Sequence, residues 1–130
     1  MFNPGNVIIS SEYPVSKILK EYMAKIETGE SVIVVLHSPR EKFWGVLREL
    51  GAAGIYARGI DLNAFDEFTR SVRNGEIFYG ISEVFFPMWR VERVTRDESD
   101  GDIQSMSEQF RQRTGLDIDG FDAGTGPIAS

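Results

Sequence analysis

Ser31-Val32-Ile33-Val34-Val35-Leu36-His37, then Ser38-Pro39-Arg40-Glu41, then Lys42-Phe43-Trp44-Gly45-Val46-Leu47-Arg48-Glu49-Leu50: this stretch decides the fold. Its first part is dense in valine, isoleucine and leucine, side chains that suit a pleated, packed surface. Its middle has the composition of a turn. Its last part alternates, with Phe43, Gly45 and Leu47 on one side and Trp44, Val46 and Arg48 on the other. A glycine inside such a strand marks a bend or the close approach of another backbone. Two strands joined by a tight turn seed an antiparallel sheet.

The pattern continues on the C-terminal side. Gly51-Ala52-Ala53-Gly54 is a turn of small residues, and Ile55 to Ile60 alternates again, with Tyr56 and Arg58 opposite Ile55 and Ala57. Leu62, Phe65, Phe68 and Val72 then recur near helical spacing. Asp61 or Asn63 supplies a cap, and Asn74-Gly75 ends this insert. Ile77 to Phe86 and Met88 to Val94 read as two further strands, with Pro87 marking a bend or an edge between them. After Thr95, Asp97 to Asp102 forms a charged loop. Ile103, Met106 and Phe110 place a narrow apolar stripe on a second helix that stops near Gly115.

On the N-terminal side, Pro14 opens a helix. Val15, Ile18, Leu19, Tyr22, Met23 and Ile26 make one apolar stripe, and Gly29 is its stop. Val7-Ile8-Ile9 is an edge strand or an arm. The predicted fold is therefore mainly β with helices: a small, strongly bent antiparallel five-stranded sheet or barrel. It carries an N-terminal helix, a helical insert before the last two strands and a C-terminal helix and tail.

The 130 residues set one domain with one core. There is no cysteine, so disulfide, thiolate nucleophile and thiolate zinc chemistry are excluded. This fits a reducing compartment, and the expected location is cytoplasmic. No basic segment precedes a long apolar run at Met1, so no signal peptide is expected. The longest apolar run is too short to span a bilayer, and no membrane partner is expected.

The net charge is −6, which disfavours non-specific attraction to nucleic acid or anionic membranes. The charge is not spread evenly. Residues 1–96 hold 12 acidic and 12 basic side chains, whereas residues 97–130 hold eight acids and two arginines. The expected division is a neutral body over 1–96 and an acidic helix and flexible tail over 97–130.

These features together resemble the Sm/LSm superfamily, which includes the bacterial Hfq proteins. The resemblance is carried by Val32-x-Val34-x-Leu36 followed by Phe43-x-Gly45-x-Leu47, which is similar to the first Sm motif. There a near-invariant glycine lets the second strand bend through both halves of a small barrel. The helix from Pro14 matches the family's N-terminal helix, which lies over the open end of the barrel. Val84-Phe85-Phe86-Pro87-Met88-Trp89-Arg90-Val91 sits where the family has its last two strands. The resemblance covers about residues 14–95 and implies a homo-oligomeric ring whose work is binding, with RNA as one partner class. The acid and asparagine of the family's RNA-contacting loop have no counterpart in Gly51–Gly54. Arg58-Gly59 resembles the second motif's Arg-Gly but precedes the helical insert.

The chemistry-bearing residues are sparse. His37 is the lone histidine; it is a candidate base but also an ordinary polar residue at a strand end. Asp66 and Glu67 are adjacent on a helix and share no face, and Asp61 is better explained as a cap. Asp117-x-Asp119-Gly120-x-Asp122 fails the calcium-loop pattern, because Phe121 and Asp122 occupy its fifth and sixth positions. No metal, cofactor or catalytic residue is expected, and the chain reads as non-enzymatic. Arg90, Arg93 and Arg96 with Trp89 are a candidate basic, aromatic surface for single-stranded RNA. On one strand Arg90 and Arg96 share a face with Glu92 while Arg93 takes the other.

Two surfaces carry the functional expectation. Trp44, Tyr56, Arg58, Trp89 and Arg90 are the candidate ligand or partner surface, joined by Phe65 and Phe68 in a protein-docking variant. Val84, Phe85, Phe86 and Met88 form the candidate subunit interface, because a run apolar on both faces needs cover on both. Strand pairing around a ring supplies that cover, and the competing source is the chain's own helices. The alternative to an RNA-associated ring is a protein-interaction module without nucleic acid.

Overall fold

The computed structural model describes residues 25–76 and 81–118. The expected strand at Val7–Ile9, most of the helix from Pro14 and the tail after Ile118 lie outside the described residues. Five strands form one antiparallel sheet: β1 (Ser31–Leu36), β2 (Glu41–Leu50), β3 (Gly54–Asp61), β4 (Ser82–Pro87) and β5 (Val91–Arg96). Their order across the sheet is β4-β3-β2-β1-β5. Two helices accompany them, α1 (Phe65–Arg73) and α2 (Met106–Thr114).

The alternation read in the sequence sorts the sheet into two apolar faces. Val32, Val34, Leu36, Phe43, Leu47, Ile55, Ala57 and Phe86 make the inner cluster, with Ile26, Val84, Val91 and Val94 packed against it. Trp44, Val46 and Ile60 on the opposite face meet Phe65, Phe68 and Val72 of α1 and Phe110 of α2. The sheet curls around the inner cluster. Phe43 is opposite Asp61 and Phe86 opposite Ile55, six positions apart on β3. A flat sheet would hold them about 20 Å apart, at ~3.3 Å per residue, yet their rings lie 5.1 Å apart.

The sheet nevertheless stays open; the expected closed barrel is corrected. With five antiparallel strands in this order, β4 and β5 run in the same sense. A parallel ladder between them needs a long crossover, and only Met88–Arg90 joins them. A second correction follows from the same joint. Met88–Arg90 was expected to begin a strand but is a 3-10 turn. Pro87 has no N–H for a ladder, and Met88 N–H bonds back to the Ala53 carbonyl at 2.9 Å. The strand resumes only at Val91.

The helical insert forms as its spacing predicts. Asp61 caps the 3-10 turn Leu62–Ala64 by accepting from Asn63 N–H at 2.7 Å. In α1, Asp66 and Glu67 stand at the first turn and Arg70 and Arg73 at the last, matching the helix dipole. α2 starts three residues later than its stripe suggested. Ser105 is the N-cap and accepts from Glu108 N–H, and Gly115 closes the helix in the left-handed region at φ 77°. Ile103 therefore lies outside the helix, 72% exposed, in a turn closed against Asp100.

Residue 97 divides two charge regimes but not two cores. Phe110 is 1% exposed, stacked on Phe68 and tilted on Trp44, each at 5.7 Å. Asp97 ties α2 to the sheet. Its carboxylate accepts from Ser31 Oγ (2.9 Å), Trp44 Nε1 (3.0 Å), Met106 N–H (2.7 Å), Ser107 N–H (2.9 Å) and Ser107 Oγ (2.5 Å). Replacing it by alanine leaves the Met106 and Ser107 N–H groups without their acceptor and the indole N–H with Ser31 Oγ alone. Asp97→Ala is expected to cost about 2–3 kcal/mol in urea unfolding. A loss below about 0.5 kcal/mol, the surface-substitution range, would mean that the clasp does not form.

Candidate functional site

Exposed apolar side chains gather around the Gly51–Gly54 turn. Leu50 enters it, and Tyr56 stands two residues past Gly54. Met88 is bonded to Ala53 through its N–H, and Trp89 follows at 66% exposure. Phe85 completes the group. It lies opposite Tyr56 across β3 and β4, with the rings 4.8 Å apart. Gly54 is required beneath it, since a Cβ there would sit 2.6 Å from Phe85 Cζ and 2.3 Å from the Phe86 carbonyl oxygen. Five large apolar residues are thus held at one end of the sheet, on three strands and one turn.

The charged residues beside this patch are engaged. A bulge between Leu47 and Glu49 turns Arg48 outward, where it pairs with Glu83 at 3.0 Å. Arg58 is half-buried on the same face, opposite Val46 and Glu83 in the two ladders. Two shallow depressions of about 280 and 360 Å3 flank Arg48, lined by Glu49, Tyr56 and Glu83 and by Thr28, Gly29 and Leu47. Neither is the enclosed apolar cavity that a small molecule needs.

The structure separates the residues that the sequence grouped. Trp44 is fully buried and holds Asp97 and Ser31. Phe65 and Phe68 are buried beneath α2. These three cannot be a docking surface, because the sheet's second face is already covered. Arg90 is withdrawn as well: its guanidinium donates to the His37 carbonyl at 2.6 Å, the Pro39 carbonyl at 2.7 Å and the Glu41 carboxylate. It pins the β1–β2 turn. Of the expected partner surface, Tyr56 and Trp89 stay exposed.

The expected interface also divides. Val84 and Phe86 point to the inner cluster, whereas Phe85 and Met88 face out. The three arginines do not form one patch. Arg93 pairs with Glu92 at 3.1 Å, and Arg96 pairs with Glu30 at 2.7 Å and donates to the Lys25 carbonyl. The Arg96 hydrogen bond, then the Glu27 N–H, holds the Glu30 carboxyl below its ordinary range.

His37 is exposed beside Ser38, Asp66 is paired with Arg113, and Asp117 lies 4.0 Å from Arg111. Asp119 and Asp122 are outside the described residues. Among the described residues no three His, Asp or Glu side chains converge on a metal position, and no helix is long and apolar enough to cross a membrane. Sequence reasoning missed the Asp97 clasp. Its one local signal was Ser105-x-x-Glu108, a capping pattern that fixes where α2 begins. Comparison of the chain with family models, curated proteins and solved structures gives no match.

Proposed function

We propose that the chain is a non-enzymatic, cytoplasmic Sm-like binding protein that assembles with copies of itself into a ring and works through protein contacts. One observation carries this reading: β4 and β5 are the outer strands of an open, curled sheet. Unpaired strand edges invite pairing with another chain. The two margins differ, so β4 of one copy pairs with β5 of the next in a head-to-tail contact, which closes into a ring where the rotation permits.

The pleat narrows the register. Val84 and Val94 both pack against the inner cluster, so they must share a face across the seam. Aligning Val84 with Val94 in the antiparallel sense overlaps Ser82–Pro87 fully with Val91–Arg96. Phe85 then faces Arg93 of the next copy on the outer surface, where a guanidinium favours an aromatic ring.

Light scattering tests the reading directly. The expected native mass is an integer multiple, above one, of the 14.6 kDa chain. Phe85→Glu, at a side chain exposed in one copy, is expected to give a folded monomer. A single-chain mass for the unaltered protein at high concentration removes the proposal. RNA association is the second reading, favoured by Trp89, whose exposed face suits base stacking at about 1–3 kcal/mol per base. Its signature is salt-dependent binding of a single-stranded RNA oligonucleotide that weakens in Trp89→Ala.

A further inference from the structure

A reactive dipeptide is built into the end of α1. Asparagine stands at positions 3, 6, 63 and 74. An asparagine side chain is attacked by the backbone nitrogen of the residue that follows, provided that nitrogen carries a hydrogen and is uncrowded. Asn3 precedes Pro4, whose nitrogen has no hydrogen. Asn6 precedes the branched Val7, and Asn63 precedes Ala64. Asn74 alone precedes a glycine.

The fold itself demands that glycine. Gly75 lies at φ 77°, the left-handed region in which helices end. Its N–H donates to the Val72 carbonyl at 3.0 Å, and the Glu76 N–H donates to the Ser71 carbonyl at 2.9 Å. The pair of bonds is a Schellman motif closing α1. Packing gives the dipeptide no cover. Asn74 and Gly75 are exposed, and a Cβ at Gly75 would meet nothing within 4 Å. The motif is the shield. It engages the Gly75 N–H and holds Asn74 at ψ 0°, whereas attack needs the nitrogen swung round beside the side-chain carbon.

We propose that Asn74 is a site of spontaneous modification gated by this motif, and that conversion releases the end of α1 for good. The Gly75 nitrogen, its proton lost to hydroxide, bonds to the Asn74 side-chain carbonyl carbon. The carbon–nitrogen bond of the amide breaks, and ammonia leaves with a proton from water. The five-membered imide then takes up water. Opening at one carbonyl gives aspartate; opening at the other gives isoaspartate, whose main chain runs through the side-chain carbon. The isoaspartyl link adds one main-chain atom between the two bonds' donors and their acceptors, so the motif cannot close again. Either product also puts an anion at the C-terminal end of α1, where the helix dipole opposes it. Val72, 6% exposed in the second-face cluster, lies two residues back and carries the loosening into the core. The device works in a single copy and does not depend on assembly.

The full chain, held in mildly alkaline buffer at body temperature, tests it by intact mass and peptide mapping. The expected result is a gain of one mass unit at Asn74. The Asp-Gly pairs at 100 and 119 can form the same imide, but they lose and regain water and leave the mass unchanged. Conversion in the full chain should be at least about tenfold slower than in the synthetic peptide Ser71–Glu76, as a closed helix end is protected. Urea below the unfolding transition should narrow that gap. Each conversion adds one negative charge, so anion exchange separates the products. The isoaspartyl protein should exchange its Gly75 and Glu76 amide hydrogens faster than the original. Asn74→Asp, which carries the charge without the extra main-chain atom, should exchange more nearly as the original does, and Asn74→Ser should gain no mass. Conversion at Asn6 or Asn63 ahead of Asn74 overturns the site. A rate equal to the peptide's overturns the gate, and unaltered exchange in the isoaspartyl protein overturns the release.

Discussion

Phe110→Ala is expected to cost about 3–5 kcal/mol, the usual range for removing a buried aromatic ring. The ring is 1% exposed and contacts Phe68 and Trp44 at 5.7 Å each. These are themselves fixed by α1 and β2, so the space cannot collapse cheaply. A domain of this size holds about 5–15 kcal/mol in total, and one substitution should consume a large part of it. The loss should be local first. α2 is attached through Phe110, the Asp97 clasp and the Arg113–Asp66 pair at 2.7 Å, and the last of these is exposed and weak. Tryptophan emission reads the event. Trp89 is already exposed, so Trp89→Phe leaves Trp44, which is fully buried, as the reporter. Its emission should shift to the red in Phe110→Ala before β-sheet circular dichroism is lost. Ile103→Ala, at the exposed tip of the preceding turn, is the control and should stay within about 0.5 kcal/mol. If Phe110→Ala is as mild as Ile103→Ala, α2 is not seated on the sheet. The same geometry rules out cutting the chain at residue 97 to ask whether its acidity blocks RNA. That cut removes Asp97 and Phe110 from the core, and neutralising Glu98, Asp100 and Asp102 in place asks the question cleanly.

How much of this was legible depended on the range of the interaction. β1, β2, β3 and α1 were readable because their signal is local: period two in Phe43 to Arg48, helical spacing from Leu62 to Val72, a cap at Asp61. The Met88–Arg90 turn was misread because Val84 to Trp89 is apolar without a break. What ends the strand is a hydrogen bond from Met88 to Ala53, 35 residues away. The expected partner surface failed at Trp44 and Arg90 for the same reason. Trp44 is claimed by Asp97, 53 positions later, and Arg90 by a turn 51 to 53 positions earlier. A large aromatic or a cation reads identically in sequence whether it faces solvent or a distant carboxylate. The charge boundary at residue 97 was visible in composition. That composition carries no information about where Met106 and Phe110, the two large apolar residues of a polar helix, pack, and their contacts make α2 part of the core.

Gly59→Ala should be as damaging as losing Phe110, for a different reason. Gly45 and Gly59 face each other across β2 and β3. A Cβ at Gly59 would lie 2.0 Å from the Trp44 carbonyl oxygen and 2.5 Å from Gly45 Cα. One at Gly45 would lie 2.3 Å from the Arg58 carbonyl oxygen. Every obstructing atom is backbone, so no side-chain rotation relieves the contact, and the two strands must separate. Neither glycine has a positive φ; the requirement is proximity, not conformation. The expected cost is about 3 kcal/mol, the upper end for forcing atoms into filled space. It falls on the strand pair that lets Phe43 reach Phe86 around the curl. The two substitutions compete for one gap, so the double variant should cost less than the sum of the singles by at least about 0.5 kcal/mol. Gly51→Ala, where an added Cβ meets nothing within 4 Å, should stay near the original. Urea midpoints for the four variants decide it. A Gly59→Ala protein as stable as Gly51→Ala would mean that the strands do not approach this closely. The curl would then lose its cause, and the Sm-like reading would lose the glycine on which its first motif depends.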